Sequence, residues 1–167
     1  MSKVLIITYY WPPSGGSGVQ RWLKFSKYLP DNGWSPIIYT PESISFDLQD
    51  LELSQDISNT VRVWKHPIWE PYQIKDRFFG KKINSSAGII SEKDSFKNRF
   101  LNWVRGNFFI PDPKIFWVSP SIKFLSKKLE EEKITHIIST GPPHSMHLIA
   151  LGLKKKYPGL QWIADFR

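Results

Sequence analysis

Lys3-Val-Leu-Ile-Ile-Thr-Tyr-Tyr10, followed at once by Trp11-Pro-Pro-Ser-Gly-Gly-Ser-Gly18, decides the fold. The first run is β-branched and aromatic without clean alternation, as in a strand covered on both faces. The second is a loop built of chain breakers. Beyond it Val19, Trp22, Leu23, Ser26 and Leu29 recur at helical spacing, with Gln20, Arg21, Lys24 and Lys27 opposite. Strand, glycine loop and helix in that order open a parallel α/β sheet, so residues 3–10 are expected to form a central strand.

The same rhythm continues downstream. Asn32-Gly33 closes the first helix, Pro36 to Thr40 reads as a second strand, and Thr60 to Lys65 as a third, placed on an edge because it alternates. A helix is expected from about 120 to 132, with Ser119 as N-cap, Pro120 at the first helical position, and Ile122, Leu125 and Leu129 as its apolar stripe. Thr135 to Thr140 is a buried-type strand, Gly141-Pro142-Pro143 a second tight loop, and Ser145 to Tyr157 an apolar helix that Pro158-Gly159 stops. Leu160 to Asp165 forms the last strand. Residues 66–110 break the rhythm, although Phe96, Phe100, Trp103, Val104 and Phe108 share one helical face.

A sheet of this kind has right-handed crossovers and binds ligands at the carboxyl ends of its strands. The loops of interest are therefore 11–18, 40–46, 141–145 and whatever follows Asp165. A chain that stops just after a strand, at the edge where a ligand sits, is expected to be part of a longer protein. The 167 residues fit a single domain.

Composition narrows the class. Hydrophobic residues make up 41% and aromatics 15%, which excludes a disordered chain. Cysteine is absent, which removes a disulfide framework, a thiolate metal site and a cysteine nucleophile, and fits a reducing cytoplasm. The apolar run near the start is about eight residues, too short to cross a bilayer, and it lacks the basic leader of a secretory signal. The net charge of +8 is uneven. Lys75, Arg77, Lys81, Lys82, Lys93, Lys97, Arg99 and Arg105 face only Asp76, Glu92 and Asp94, and Phe78, Phe79, Phe96, Phe100, Trp103, Phe108 and Phe109 lie among them. Such a segment suits an anionic membrane surface or a lipid phosphate. It equally fits a solvated face over an aromatic stripe. Nucleic acid is not expected as a partner, because no recognition motif accompanies the charge.

Two loops carry the chemistry. The amides of Ser14-Gly-Gly-Ser-Gly18 can approach an anion with a helix dipole behind them, or the glycines merely turn the chain. A dinucleotide fingerprint counted from Gly16 meets Gly18 and then Arg21, a bulky residue where close helix packing needs a small one; Glu42 after the second strand stands where a ribose-binding acid would. A P-loop is excluded because no Gly-x-x-x-x-Gly-Lys-Ser/Thr occurs. In Gly141-Pro-Pro-His-Ser145, His144 can accept from or donate to a substrate hydroxyl, and Ser145 either faces a ligand or caps the helix. His147 completes a His-x-x-His spacing that lacks a third ligand nearby. His136 reads as a core or edge histidine. Asp165, at the end of the last strand, is a carboxylate where such sheets place functional groups, or one half of an Asp-Arg surface pair.

Taken in order, Tyr9-Tyr-Trp-Pro-Pro-Ser-Gly-Gly-Ser-Gly-Val-Gln-Arg21, Ile110-Pro-Asp-Pro-Lys-Ile-Phe-Trp117, Ser139-Thr-Gly-Pro-Pro-His-Ser145 and Trp162-Ile-Ala-Asp-Phe-Arg167 resemble the N-terminal half of bacterial family 4 glycosyltransferases. The resemblance implies the N-terminal half of a GT-B fold: α/β, Rossmann-like and doubly wound, with a mainly parallel sheet and helices on both faces. Residues 1–167 then form one acceptor-side domain, and a C-terminal nucleotide-sugar domain is absent from this chain. Gly15 and Gly16 would approach the donor phosphates. His144 and Asp165 would be the catalytic pair, with Ser145 and Arg21 at the acceptor. Family members often have a histidine where Asp165 stands. The implied reaction transfers a sugar, with retention, from a nucleotide-sugar to a glycan or lipid-linked acceptor, with no metal and no cofactor. It would take place in the cytoplasm, peripherally on the inner face of the plasma membrane, in the making of a surface polysaccharide. The fragment alone would not turn over. A non-catalytic module for anionic lipid or nucleic acid, and a nicotinamide-dependent oxidoreductase, stand as alternatives.

Overall fold

A computed structural model of the chain describes residues 1–42, 49–68 and 110–166. The basic and aromatic segment 75–105 and its helical face lie outside the described residues. Five strands form one parallel sheet: β1 (Ser2–Ile7), β2 (Trp34–Glu42), β3 (Arg62–Pro67), β4 (His136–Thr140) and β5 (Gln161–Asp165). Their order is β3-β2-β1-β4-β5. Helix α1 (Ser17–Tyr28) links β1 to β2, α2 (Ile115–Glu132) precedes β4, and α3 (Ser145–Lys156) joins β4 to β5.

Alternation along the strands sorts side chains to two faces. Leu5, Ile7, Ile37, Tyr39 and Ile137 pack against Trp117, Leu125 and Leu129 of α2 and Met146, Ile149 and Leu153 of α3. Ile6 and Ile38 pack on the other face against Trp22 and Leu23 of α1. The fold is thus α/β and Rossmann-like, with helices on both faces as expected. β1 is central, its Val4 to Ile7 buried throughout, and β3 stands at an edge.

The expected start of the second long helix requires correction. It begins at Ile115, and Pro120 lies inside it rather than at the first helical position, with Ser119 no cap. Two local features explain the earlier start. Asp112 Oδ1 accepts the Lys114 N–H at 2.9 Å and Asp112 O accepts that of Ile115 at 3.2 Å, so the chain turns into the helix there. One turn on, Trp117 is fully buried and stacks on Tyr39 at 4.9 Å and 7°. Tyr39 donates its hydroxyl to Ser121 Oγ at 2.8 Å, and burial raises its pKa. Burying this aromatic pair outweighs the hydrogen bond that proline cannot donate.

At the amino ends of the strands one carboxylate ties three elements together. Glu132, ending α2, pairs with Arg62 of β3 through both oxygens, at 3.0 and 3.2 Å, and with Lys3 of β1 at 2.7 Å. The Arg62 and Lys3 partners lower its pKa to about 2.

Candidate functional site

The sheet order reverses direction at β1, with β2 on one side and β4 on the other, and this is where open parallel sheets bind ligands. The loops after β1 and β4 flank that point. Ile7, the last residue of β1, is in register with Ser139 of β4, and Thr140 with Asp165 of β5. The three carboxyl ends carrying Gly15 and Gly16, His144, and Asp165 are therefore neighbours.

Gly16 is the N-cap of α1, with φ of 100°, a backbone conformation that a β-carbon disfavours. α1 has no side-chain cap and no acidic residue in its first turn. The Gly15 and Gly16 amides carry no hydrogen bond among the described residues. This end of the helix keeps its positive partial charge available to an anion. Upstream the loop is anchored: Ser14 N–H donates to Trp11 O at 3.0 Å and Asp50 N–H to Pro13 O at 2.8 Å.

Asp165 is held on several sides. Its Oδ1 lies 3.1 Å from the Arg21 guanidinium, while Oδ2 accepts the Trp22 indole N–H and the Thr140 hydroxyl, each at 3.0 Å. The carboxylate side chain is 11% exposed and that of Arg21 45%. Its backbone carbonyl accepts the Gly141 N–H at 3.1 Å. Asp165 and Arg21 thus occupy each other, and the carboxylate pins the first turns of α1 to β4 and β5.

Ser145 is also committed. It is fully buried; its hydroxyl donates to Asp112 Oδ1 at 2.8 Å and its N–H to Oδ2 at 2.7 Å. Asp112 thereby caps α3 from a different part of the chain. His144 precedes α3 as its N-cap and is exposed. His147, one turn on, is buried, and its Nδ1 lies 2.8 Å from Ser139 Oγ. Ser139 Oγ also accepts the Trp162 indole N–H at 2.9 Å. Burial, above all, and the neighbouring His144 lower the pKa of His147, and Asp165 opposes them. Phe166 lies beside both imidazoles, its ring 4.1 Å from that of His147 and 6.1 Å from that of His144. Among the described residues no three histidine, aspartate or glutamate side chains gather as a metal site. Glu42 ends β2 and is exposed, and no described helix is long and apolar enough to cross a membrane.

Several of these residues escaped the sequence reading. Trp22 looked like core, yet its indole N–H reaches Asp165. Asp112 looked like part of a proline interruption. The one available signal was Asp112 between two prolines, a short acceptor on a stiffened turn.

No protein-family model matches the chain, and no curated protein does. Among solved structures, the C-terminal domain of PF1911 hydrogenase from Pyrococcus furiosus superposes with a TM-score of 0.50 at 13% identity, over 98% of this chain and 90% of that one. LpCGTa in complex with UDP gives 0.51 at 15% identity, over 99% of this chain and 30% of that one. Apo UGT2 of Phytolacca americana gives 0.52 at 14%, over 99% and 29%. The chain spans under a third of these last two. At such identities the likeness is one of fold.

Proposed function

We propose that this chain is the acceptor-side domain of a GT-B glycosyltransferase, working opposite a second domain that carries the nucleotide-sugar. The observation that carries the proposal is the pairing of an uncapped, acid-free helix start at Gly15 and Gly16 with a histidine corner on the neighbouring strand. The similarity of fold to LpCGTa, solved with UDP, and to UGT2 agrees with it.

In this reading the Gly15 and Gly16 amides stabilise the departing diphosphate as charge develops on it, which fixed donors do well in a water-poor cleft. No protein-bound metal or cofactor is invoked. His144 engages the acceptor hydroxyl and holds it against the anomeric carbon. Asp165 serves the catalytic cluster by fixing α1, and with it the glycine loop, through Arg21 and Trp22. Arg21 and Ser145 bear on the acceptor side, Ser145 through the Asp112 cap that orients α3. The acceptor is a glycan or lipid-linked saccharide and the transfer retains configuration. The basic and aromatic composition of residues 75–105 supports work at an anionic membrane face.

The test is release of nucleoside diphosphate from UDP-, ADP- and GDP-sugars, in the presence of lipid-linked saccharides, by the protein carrying both domains. His144→Ala should lower kcat/KM by about 10²-fold, the usual consequence of losing a group that positions a reactant. Because His144 is exposed, its removal should leave folding intact. Absence of diphosphate release from all three donor classes, or undiminished turnover by the variant, refutes the reading.

A further inference from the structure

The corner after β4 holds a buried polar atom that no described group pairs with. His147 is 6% exposed, and its Nε2 has no hydrogen-bond partner among the described residues. Buried ring nitrogens are ordinarily paired, so an orphan calls for an explanation. Its direction is fixed by Gly141. A β-carbon built there would stand 2.9 Å from His147 Nε2 and 2.9 Å from His144 Nδ1, so both nitrogens lie close to the bare Cα. The two imidazoles lie 5.9 Å apart at 24°.

The proton on His147 can be assigned. Ser139 Oγ already accepts from Trp162 and is fully buried, so its single hydroxyl proton goes to the neighbour within reach, His147 Nδ1. An imidazole that accepts at Nδ1 carries its own proton on Nε2. His147 therefore presents an N–H donor to the corner, and His144, whose Nδ1 lies at the same corner, supplies an acceptor when its own proton is on Nε2. One donor and one acceptor converging is the complement of a hydroxyl.

We propose that Gly141, His144 and His147 form a subsite for one alcohol hydroxyl, whose oxygen accepts from His147 Nε2–H and whose proton is donated to His144 Nδ1. The geometry stands by itself; the glycosyltransferase reading adds only that the hydroxyl belongs to a saccharide. An anion is the poorer occupant, because the Asp112 carboxylate already sits on the first turn of α3. His147 is kept neutral by burial and by His144, so it brings no positive charge either. Trp162 and Ser139 act through His147 and are positioning residues.

Long-range ¹H–¹⁵N correlation spectra of the histidine-labelled 167-residue chain at neutral pH test both parts. His147 should show a protonated Nε2 and an unprotonated Nδ1, and Ser139→Ala should erase that preference. Methyl glycosides of glucose, galactose, mannose and N-acetylglucosamine serve as hydroxyl probes, against inorganic phosphate and Zn²⁺. At least one glycoside should shift the His147 Nε2 resonance saturably, and His144→Ala should weaken its binding at least fivefold. A protonated Nδ1 in His147, no response to any glycoside, or a response to phosphate or Zn²⁺ in place of the glycosides overturns the proposal. None of these measurements uses a nucleotide-sugar, so their failure is separable from failure of sugar transfer.

Discussion

Replacing Asp165 by alanine separates two ways in which a carboxylate can stabilise a fold. If its worth lay in the ion pair with Arg21, the loss would be small: the guanidinium is 45% exposed, and exposed pairs contribute about 0–1 kcal/mol. The other oxygen serves Trp22, whose side chain is 6% exposed, and Thr140, 1% exposed. Stranding a buried donor costs about 1–3 kcal/mol. The buried side should dominate, giving a loss of about 2–4 kcal/mol for Asp165→Ala and about 1 kcal/mol or less for Arg21→Ala. At about 2–4 °C per kcal/mol for a chain of this size, Tm should fall by roughly 4–16 °C in the first variant and by no more than about 4 °C in the second. Thermal and urea unfolding of both, with Asp165→Asn between them because its amide oxygen still accepts from Trp22, provide the assay. Equal losses in the two alanine variants, or a fall below about 2 °C for Asp165→Ala, would refute the assignment of the energy to the indole and hydroxyl donors.

Two other outcomes are expected. Gly141→Ala places a carbon 2.9 Å from both His144 Nδ1 and His147 Nε2; His144 can swing into solvent but buried His147 cannot, so a loss of about 1–3 kcal/mol in urea unfolding is expected, and wild-type stability would mean that the nitrogens do not converge there. Glu132 titrates at about 2 in the folded chain against an ordinary 4.5. Its folded-state pKa is depressed, so the stability it contributes is fully present above pH 4.5 and drains away as pH falls towards 2. Urea midpoints measured across that window should slope less in Glu132→Gln than in the parent, and parallel slopes would dismiss the tie to Arg62 and Lys3.

The sheet was readable because its signals are local. A run such as Val4 to Ile7 states its burial by having no polar alternation, and the alternation of β3 states its place at the edge. Gly16 and Gly33 likewise mark turns in their own neighbourhood, both adopting positive φ. Pro120 misled for the same reason: the local rule put proline in the first turn, while the deciding interaction, Trp117 on Tyr39, joins residues far apart in the chain. The site was legible as positions and not as partners. Loops after β1 and β4 were identifiable from their breakers, yet Asp165 with Trp22 is a contact 143 residues long, and Asp112 with Ser145 one of 33. No periodicity encodes such pairs. His147 shows the limit most clearly. At helical spacing it reads as half of a His-x-x-His metal pair, and only the packing of Ser139 and Trp162 around Nδ1 reveals which nitrogen is left over.

In the proposed site the Asp112 cap bears on how a substrate would lie. Two helices begin at this rim on opposite faces of the sheet: the amide end of α1 has no acidic cap, and its nearby Asp165 is paired with Arg21, whereas α3 begins against the Asp112 carboxylate. In the proposed site the rim is therefore polarised, favouring a negative group at the α1 end and a neutral one at the α3 end. A long molecule with a single anionic terminus has one favourable heading in such a field, and reversing it would bring its charge up against Asp112. Under the proposed function, the two helix starts would set the heading of such a molecule before any individual contact is made.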